Sequence, residues 1–158
     1  MFANCTSLTD VTINSDMSNT HIFYRMFYNC SSLVSATNLK DSNMQPISNG
    51  VTNRSVKEMF RNCSSLTDIS ILNGADMTEC GTFQNMLNGC TSLSNQTLAD
   101  VIKTWTFSTD APFITTGDNN SRSMSKTGFP AGWYDCANGR VYIESGGRIR
   151  QNGFEPNP

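Results

Sequence analysis

Apolar residues recur through the first ninety-odd positions in one fixed order. The octapeptide Met-(Phe/Leu)-x-(Asn/Gly)-Cys-(Ser/Thr)-Ser-Leu runs from Met1 to Leu8, Met26 to Leu33, Met59 to Leu66 and Met86 to Leu93, at intervals of 25, 33 and 27 residues. In the third copy Val56, Met59, Phe60 and Cys63 fall at i, i+3, i+4 and i+7, which predicts one face of a short helix. Ser55 and Glu58 stand before it as a capping box. Phe83, Met86, Leu87 and Cys90 repeat that face in the fourth copy, and Phe23, Met26, Phe27 and Cys30 in the second, where Ile22 takes the capping place. Behind each octapeptide the spacing changes. Leu66, Ile69 and Ile71 alternate as inward residues of a short strand, and Asn73-Gly74 ends it. Leu8, Val11 and Ile13 do the same in the first copy. Ala36 and Asn38 weaken the second.

Neither a helical turn nor a three-residue strand can bury its apolar side alone, so the copies must stack. The expected fold is an α/β repeat, a leucine-rich-repeat solenoid with helical turns and a narrow parallel sheet over residues 1–96. Thr97 to Asp100 resembles another capping box, and Leu98, Val101, Ile102 and Trp105 continue at helical spacing. That helix is expected to close the solenoid, within a C-terminal capping region over 97–152. Residues 108–128 are rich in Ser, Thr, Asn and Gly and predict a loop. Arg140 to Glu144 alternates as a strand, and 153–158 is expected to be a disordered tail. The chain opens on a repeat with no polar cap before it, so further coils are expected upstream.

Composition narrows the setting. Charged residues make up 15%, against roughly 25% in ordinary soluble domains, and Ser, Thr and Asn supply the polarity instead. Such a surface suits an extracellular, cell-surface or virion location. Net charge is −2 with no basic cluster beyond Arg140, Arg148 and Arg150, so nucleic-acid binding is not expected. No apolar run approaches the length of a membrane span, and no secretory signal is visible.

The repeated Met-Phe-x-Asn-Cys-Ser-Ser-Leu-Thr with its Leu-x-x-Ile-x-Ile strand resembles the BspA-type leucine-rich repeats over residues 1 to about 98. That family includes bacterial surface proteins, secreted proteins of mucosal protists and tail-associated proteins of gut phages. The resemblance implies a non-catalytic recognition or adhesion module, binding a protein or glycan receptor on a cell surface from a phage tail fibre or a bacterial surface. The rival is a structural spacer or assembly element contacting other chains of a virion or surface assembly. The repeat carries no ligand signature, so no binding residue follows from it.

Cys5, Cys30, Cys63 and Cys90 share one position in successive coils and predict a column of reduced, buried thiols. Cys80 and Cys136 lie outside it, and their pairing stays open. No Cys-x-x-Cys exists, so neither metal nor cofactor is expected. His21, the single histidine, sits away from the inward cysteines, which argues against a Cys-His nucleophile. Asn4, Asn29 and Asn62 fit the glycosylation pattern only as part of the repeat, and are expected to bond to backbone. Two regions are candidates for binding. One is the enlarged loop around Asp41, Asn43, Gln45 and Asn49, which makes the second interval long. The other is the aromatic cluster holding Trp133 and Tyr134.

Overall fold

The computed structural model of the 158-residue chain describes residues 1–13, 23–37, 54–75, 77, 80–105, 124–137 and 139–155. The four octapeptides form stacked coils, with like residues directly above one another. Phe2, Phe27 and Phe60 stack nearly parallel at centroid separations of 5.5 and 5.2 Å. Strands β1 (Asp10–Thr12) and β2 (Ser35–Thr37) pair in parallel, Val11 opposite Ala36. A bridge from Ser35 to Asp68 extends the ladder to the third coil. On the other flank β3 (Arg54–Ser55) pairs in parallel with β4 (Cys80–Thr82).

The predicted helical face is buried as expected, but its backbone is not helical. Phe23, Met26, Phe27 and Cys30, and their counterparts in coils three and four, are all buried. They are carried by consecutive tight turns: Met26 N–H reaches Phe23 O, Tyr28 reaches Arg25, and Cys30 reaches Phe27. The intervening amides leave the coil. Arg25, Phe27 and Asn29 donate to Lys57, Met59 and Arg61 of the next coil at 3.2, 2.8 and 2.9 Å. An α-helix would spend those N–H groups internally and measures about 10 Å across. Stacked strands lie about 4.8 Å apart. A helix in every coil would splay that side and curve the stack into a horseshoe; an arc of turns keeps both sides near the strand pitch.

Swinging alternate amides outward requires left-handed backbone at the residue before each Met and at the residue three after it. Arg25, Glu58 and Asn85 (φ 53°, 54° and 56°) hold the first place, Asn4, Asn29, Asn62 and Gly89 (63°, 58°, 64° and 82°) the second. That region costs an L-residue about 1–2 kcal/mol, least for Asn and Gly, which explains Asn/Gly in the octapeptide. Glu58 therefore takes no part in a capping box. Across the arc every inter-coil amide points forward, toward the following coil, and Leu87 N–H completes the series on Met124 O at 2.9 Å.

The third coil departs from its predicted strand. After Asp68 the chain enters a 3₁₀ turn (Ser70–Leu72), because Asp68 Oδ1 accepts from Ser70 N–H at 2.7 Å. The coil that should pair with it offers a helix instead. That helix, α1 (Asn95–Lys103), starts earlier than its sequence suggests, since Ser94, not Thr97, is the N-cap and accepts from Thr97 N–H. Its apolar face is as expected: Leu98, Ala99, Val101 and Ile102 are buried. Trp105 lies flat against Phe83 at 5.7 Å and donates from Nε1 to Leu72 O at 2.8 Å.

α1 packs on an antiparallel sheet of β5 (Gly132–Cys136), β6 (Gly139–Glu144) and β7 (Arg148–Glu155). Only β6 was legible as a strand. β7 continues through Gly153 to Glu155, three residues into the expected tail. Met124, within the expected loop, is fully buried.

Candidate functional site

β5 alternates sides. Trp133 and Asp135 are exposed, whereas Tyr134 is half-buried and Cys136 buried. Register sets Trp133 opposite Tyr142 and Asp135 opposite Arg140, so the outer face of the sheet gathers two aromatic rings and two charges. The Trp133 ring is 40% exposed. The Arg140 guanidinium lies 4.4 Å from its centroid, and Tyr142 meets it edge-on at 5.3 Å and 74°. Along the same face Glu144 and Arg148 are 3.5 Å apart. Stacking holds the arginine and both rings in place before any ligand arrives, which lowers the ordering cost of binding.

Tyr134 has the opposite orientation. Its ring packs on Phe129 at 5.0 Å and its hydroxyl donates to Pro130 O at 2.9 Å; burial pushes its pKa up. Of the adjacent pair, Trp133 faces outward while Tyr134 pins the Phe129-Pro130 turn. Asp41, Asn43, Gln45, Asn49 and His21 lie outside the described residues.

Between α1 and β5 a cleft of about 590 Å³ is lined by Gln96, Asp100, Lys103, Thr104, Asp135, Cys136 and Ala137. Gln96 Nε2 spans its mouth, donating to Asp135 O at 2.7 Å and Asp100 Oδ1 at 3.0 Å. The Cys136 thiol donates to Tyr134 O at 3.6 Å, and the side chain of Cys80 lies outside the described residues. Burial, followed by the neighbouring Asp100, pushes that thiol up to about 11. A protonated thiol at neutral pH is a poor nucleophile.

The cysteine column is internal from the second coil on. Cys30, Cys63 and Cys90 donate to the carbonyls of Phe2, Phe27 and Phe60 in the preceding coil, each at 3.0 Å. Burial raises all three thiols, Cys90 to about 12. Cys5, in the first described coil, is exposed. The asparagines also depart from expectation. Asn29 donates to Asn4 Oδ1 at 2.9 Å and Asn62 to Asn29 Oδ1 at 2.8 Å, so their amides bond to one another and not to backbone. Among the described residues, no group of three or more His, Cys, Asp or Glu side chains is placed to hold a metal ion.

Stacked coils with one internal Cys column, one Asn column and one Phe stack are the product of the octapeptide, and residues 1–114 match the family model described as BspA type leucine rich repeat region (6 copies). The chain belongs to the BspA-type leucine-rich-repeat family. BspA-type repeats are typically surface-associated, and leucine-rich repeats are in general non-catalytic and mediate protein interactions. No curated protein and no solved structure matches this BspA-type chain. No helix among the described residues is long and apolar enough to cross a membrane.

Sequence reasoning missed two features of this BspA-type stack. The first is the pair of ion bridges from Arg25 Nε and Arg61 Nη1 to Glu58, at 2.5 and 3.0 Å. Its signal was Arg25 and Glu58 sharing the place before Met in adjacent copies. The second is Met124 to Lys126. Lys126 is buried, its Nζ donating to Thr127 O at 3.3 Å, and burial pulls its pKa down.

Proposed function

We propose that this chain is a non-catalytic recognition module that binds a host-surface protein or glycan, from a phage tail fibre or a bacterial cell surface. The observation that carries this is the preorganised Trp133–Arg140–Tyr142 cluster on the outer face of the C-terminal sheet. Exposed Trp, Tyr and Arg are the residue types that dominate binding hot spots, and here all three are already ordered. In this reading the repeats of 1–96 are a rigid stem, and α1 with the β5–β7 sheet, over 97–152, closes its last coil and carries the contact.

A structural reading has its own support. Coils that stack in register through one Phe stack and one Asn ladder form a rigid rod suited to holding other parts of an assembly apart. Display of the chain on a glycan array and on receptor-bearing cells separates the two readings. Recognition predicts a saturable signal that Trp133→Ala lowers at least tenfold. Absence of any signal, with the parent protein needing this segment only to assemble, establishes the spacer instead.

A further inference from the structure

A second surface lies on the arc of turns, away from the C-terminal sheet. Its outward columns carry Tyr24, Arg25 and Tyr28 from the second coil and Lys57 and Arg61 from the third, with Glu58 buried beneath them. Within the four arc segments (1–5, 23–30, 56–63 and 83–90) the charged side chains are Arg25, Lys57 and Arg61 against Glu58, three minus one, a net +2 on a chain whose total is −2. The β1–β2 flank carries Asp10 and Asp68, while Arg54 lies in β3, next in sequence to the arc. The arc is thus the more positive side of the second and third coils.

The cationic groups are held in place. Arg25 lies 5.0 Å from the Tyr24 ring centroid and 4.8 Å from that of Tyr28, and Arg61 lies 6.0 Å from Tyr28. Glu58, itself buried, engages one nitrogen of each guanidinium. A guanidinium has five N–H donors, so each retains donors beyond the Glu58 contact, and their side chains are 44% and 33% exposed. Beside them runs the Asn4–Asn29–Asn62 amide ladder. Arg25 and Arg61 stand in successive coils but in neighbouring columns, since Glu58 takes the place of Arg25 and Arg61 that of Tyr28. The coils repeat at 5.5 and 5.2 Å where the Phe rings report it, close to the rise per ring of an equatorially 1,4-linked saccharide.

From this the geometry points to a binding track for a linear acidic polysaccharide, lying along the solenoid axis with one sugar ring per coil. A ring carboxylate would meet Arg25 and Arg61, which flank Glu58 together, the exposed Tyr24 ring would pack against a pyranose face, and the Asn ladder would meet ring hydroxyls. Guanidinium pairs well with carboxylate because its fork matches the two oxygens. The repeat match favours a saccharide over an acidic peptide, whose extended residues advance by only about 3.3 Å.

The test is titration of the whole chain with a β-1,4-linked mannuronic acid hexamer, with cellohexaose as the neutral chain and hexaglutamate as the acidic peptide. The expected result is saturable binding of the uronate alone, weakened at least tenfold by Arg61→Gln and severalfold by Tyr24→Ser, and falling as salt rises. Trp133→Ala should leave it unchanged, which keeps this track distinct from the surface on the C-terminal sheet. In each variant, protection of Cys30, Cys63 and Cys90 from a thiol reagent reports an intact stack. No uronate binding, equal binding of cellohexaose, or hexaglutamate binding as tightly as the uronate would each overturn the proposal, the last in favour of an acidic-peptide surface.

Discussion

The coils and the C-terminal sheet are stabilised by opposite strategies. In coils two to four one residue type performs one task repeatedly: each Cys donates to a Phe (in coil four's case, Phe60) one coil back, each Phe or Leu amide reaches one coil forward, and each Asn or Gly holds the left-handed bend. In the sheet every residue has its own task, as Trp133 and Tyr134 show by facing opposite sides. Repetition makes a role readable from sequence, because the same substitution recurs wherever the same geometry does. It also makes the stack sensitive to any change that one coil alone would tolerate.

The sharpest way to break that contrast is a charge in a column. Met59 is 1% exposed, and Met59→Asp places an unpaired carboxylate between coils, which costs several kcal/mol. The variant should be unfolded at room temperature by circular dichroism. Its Cys30, Cys63 and Cys90 should then react with a thiol reagent as fast as the exposed Cys5. A cooperative, wild-type-like melt would show that the column is not internal.

A smaller effect separates two glycines. At Gly89, with φ of +82°, an added Cβ would lie 2.7 Å from Asn62 Oδ1 and 3.1 Å from Asn62 Cα. At Gly132, in β5, it would meet nothing within 4 Å. Gly89→Ala should cost about 2 kcal/mol, from left-handed strain plus a displaced Asn62. Gly132→Ala should fall within about 0.5 kcal/mol of wild type. Equal melting points for the two would remove the distinction between column and sheet.

The smallest effect is pH-dependent. Burial pushes the Glu58 carboxyl up, and it is the largest single influence. The hydrogen bonds and charges of Arg25 and Arg61 together outweigh it and leave the group below the usual carboxylate range. A folded pKa below the unfolded one stabilises above the unfolded value and is lost as pH falls through the folded value. Glu58→Gln should therefore melt below wild type at pH 7, and the gap should close on acidification past the ordinary carboxylate range. A gap that persists in acid would mean the charge itself contributes nothing.

How much of this was legible depends on what each pattern can encode. The spacing i, i+3, i+4, i+7 correctly marked Phe23, Met26, Phe27 and Cys30 as inward, but a helix and an arc of tight turns both return a side chain inward at those places. Burial was therefore readable and backbone conformation was not. The clue lay in Asn and Gly three after each Met, residues that relieve left-handed strain. Ile69 and Ile71 alternate like a strand, yet Asp68 turns the chain and α1 leaves it without a strand partner, a fact about the neighbouring coil and not about the segment. On the candidate surface, Trp133 stood out by type. Its partners Arg140 and Tyr142 did not, because the β5–β6 register that joins them is a long-range pairing with no local signature.

The forward-pointing amides of the arc are answered at the corner by amides that point back: Val34, Ser65, Thr67 and Ser92 donate to Thr9, Ser31, Val34 and Ser64 of the preceding coil. Peptide dipoles on the two sides therefore oppose one another and do not sum as they do along a helix. Each coil is thus buttoned to its neighbours in both senses, and lifting one away breaks donors and acceptors on each of its faces.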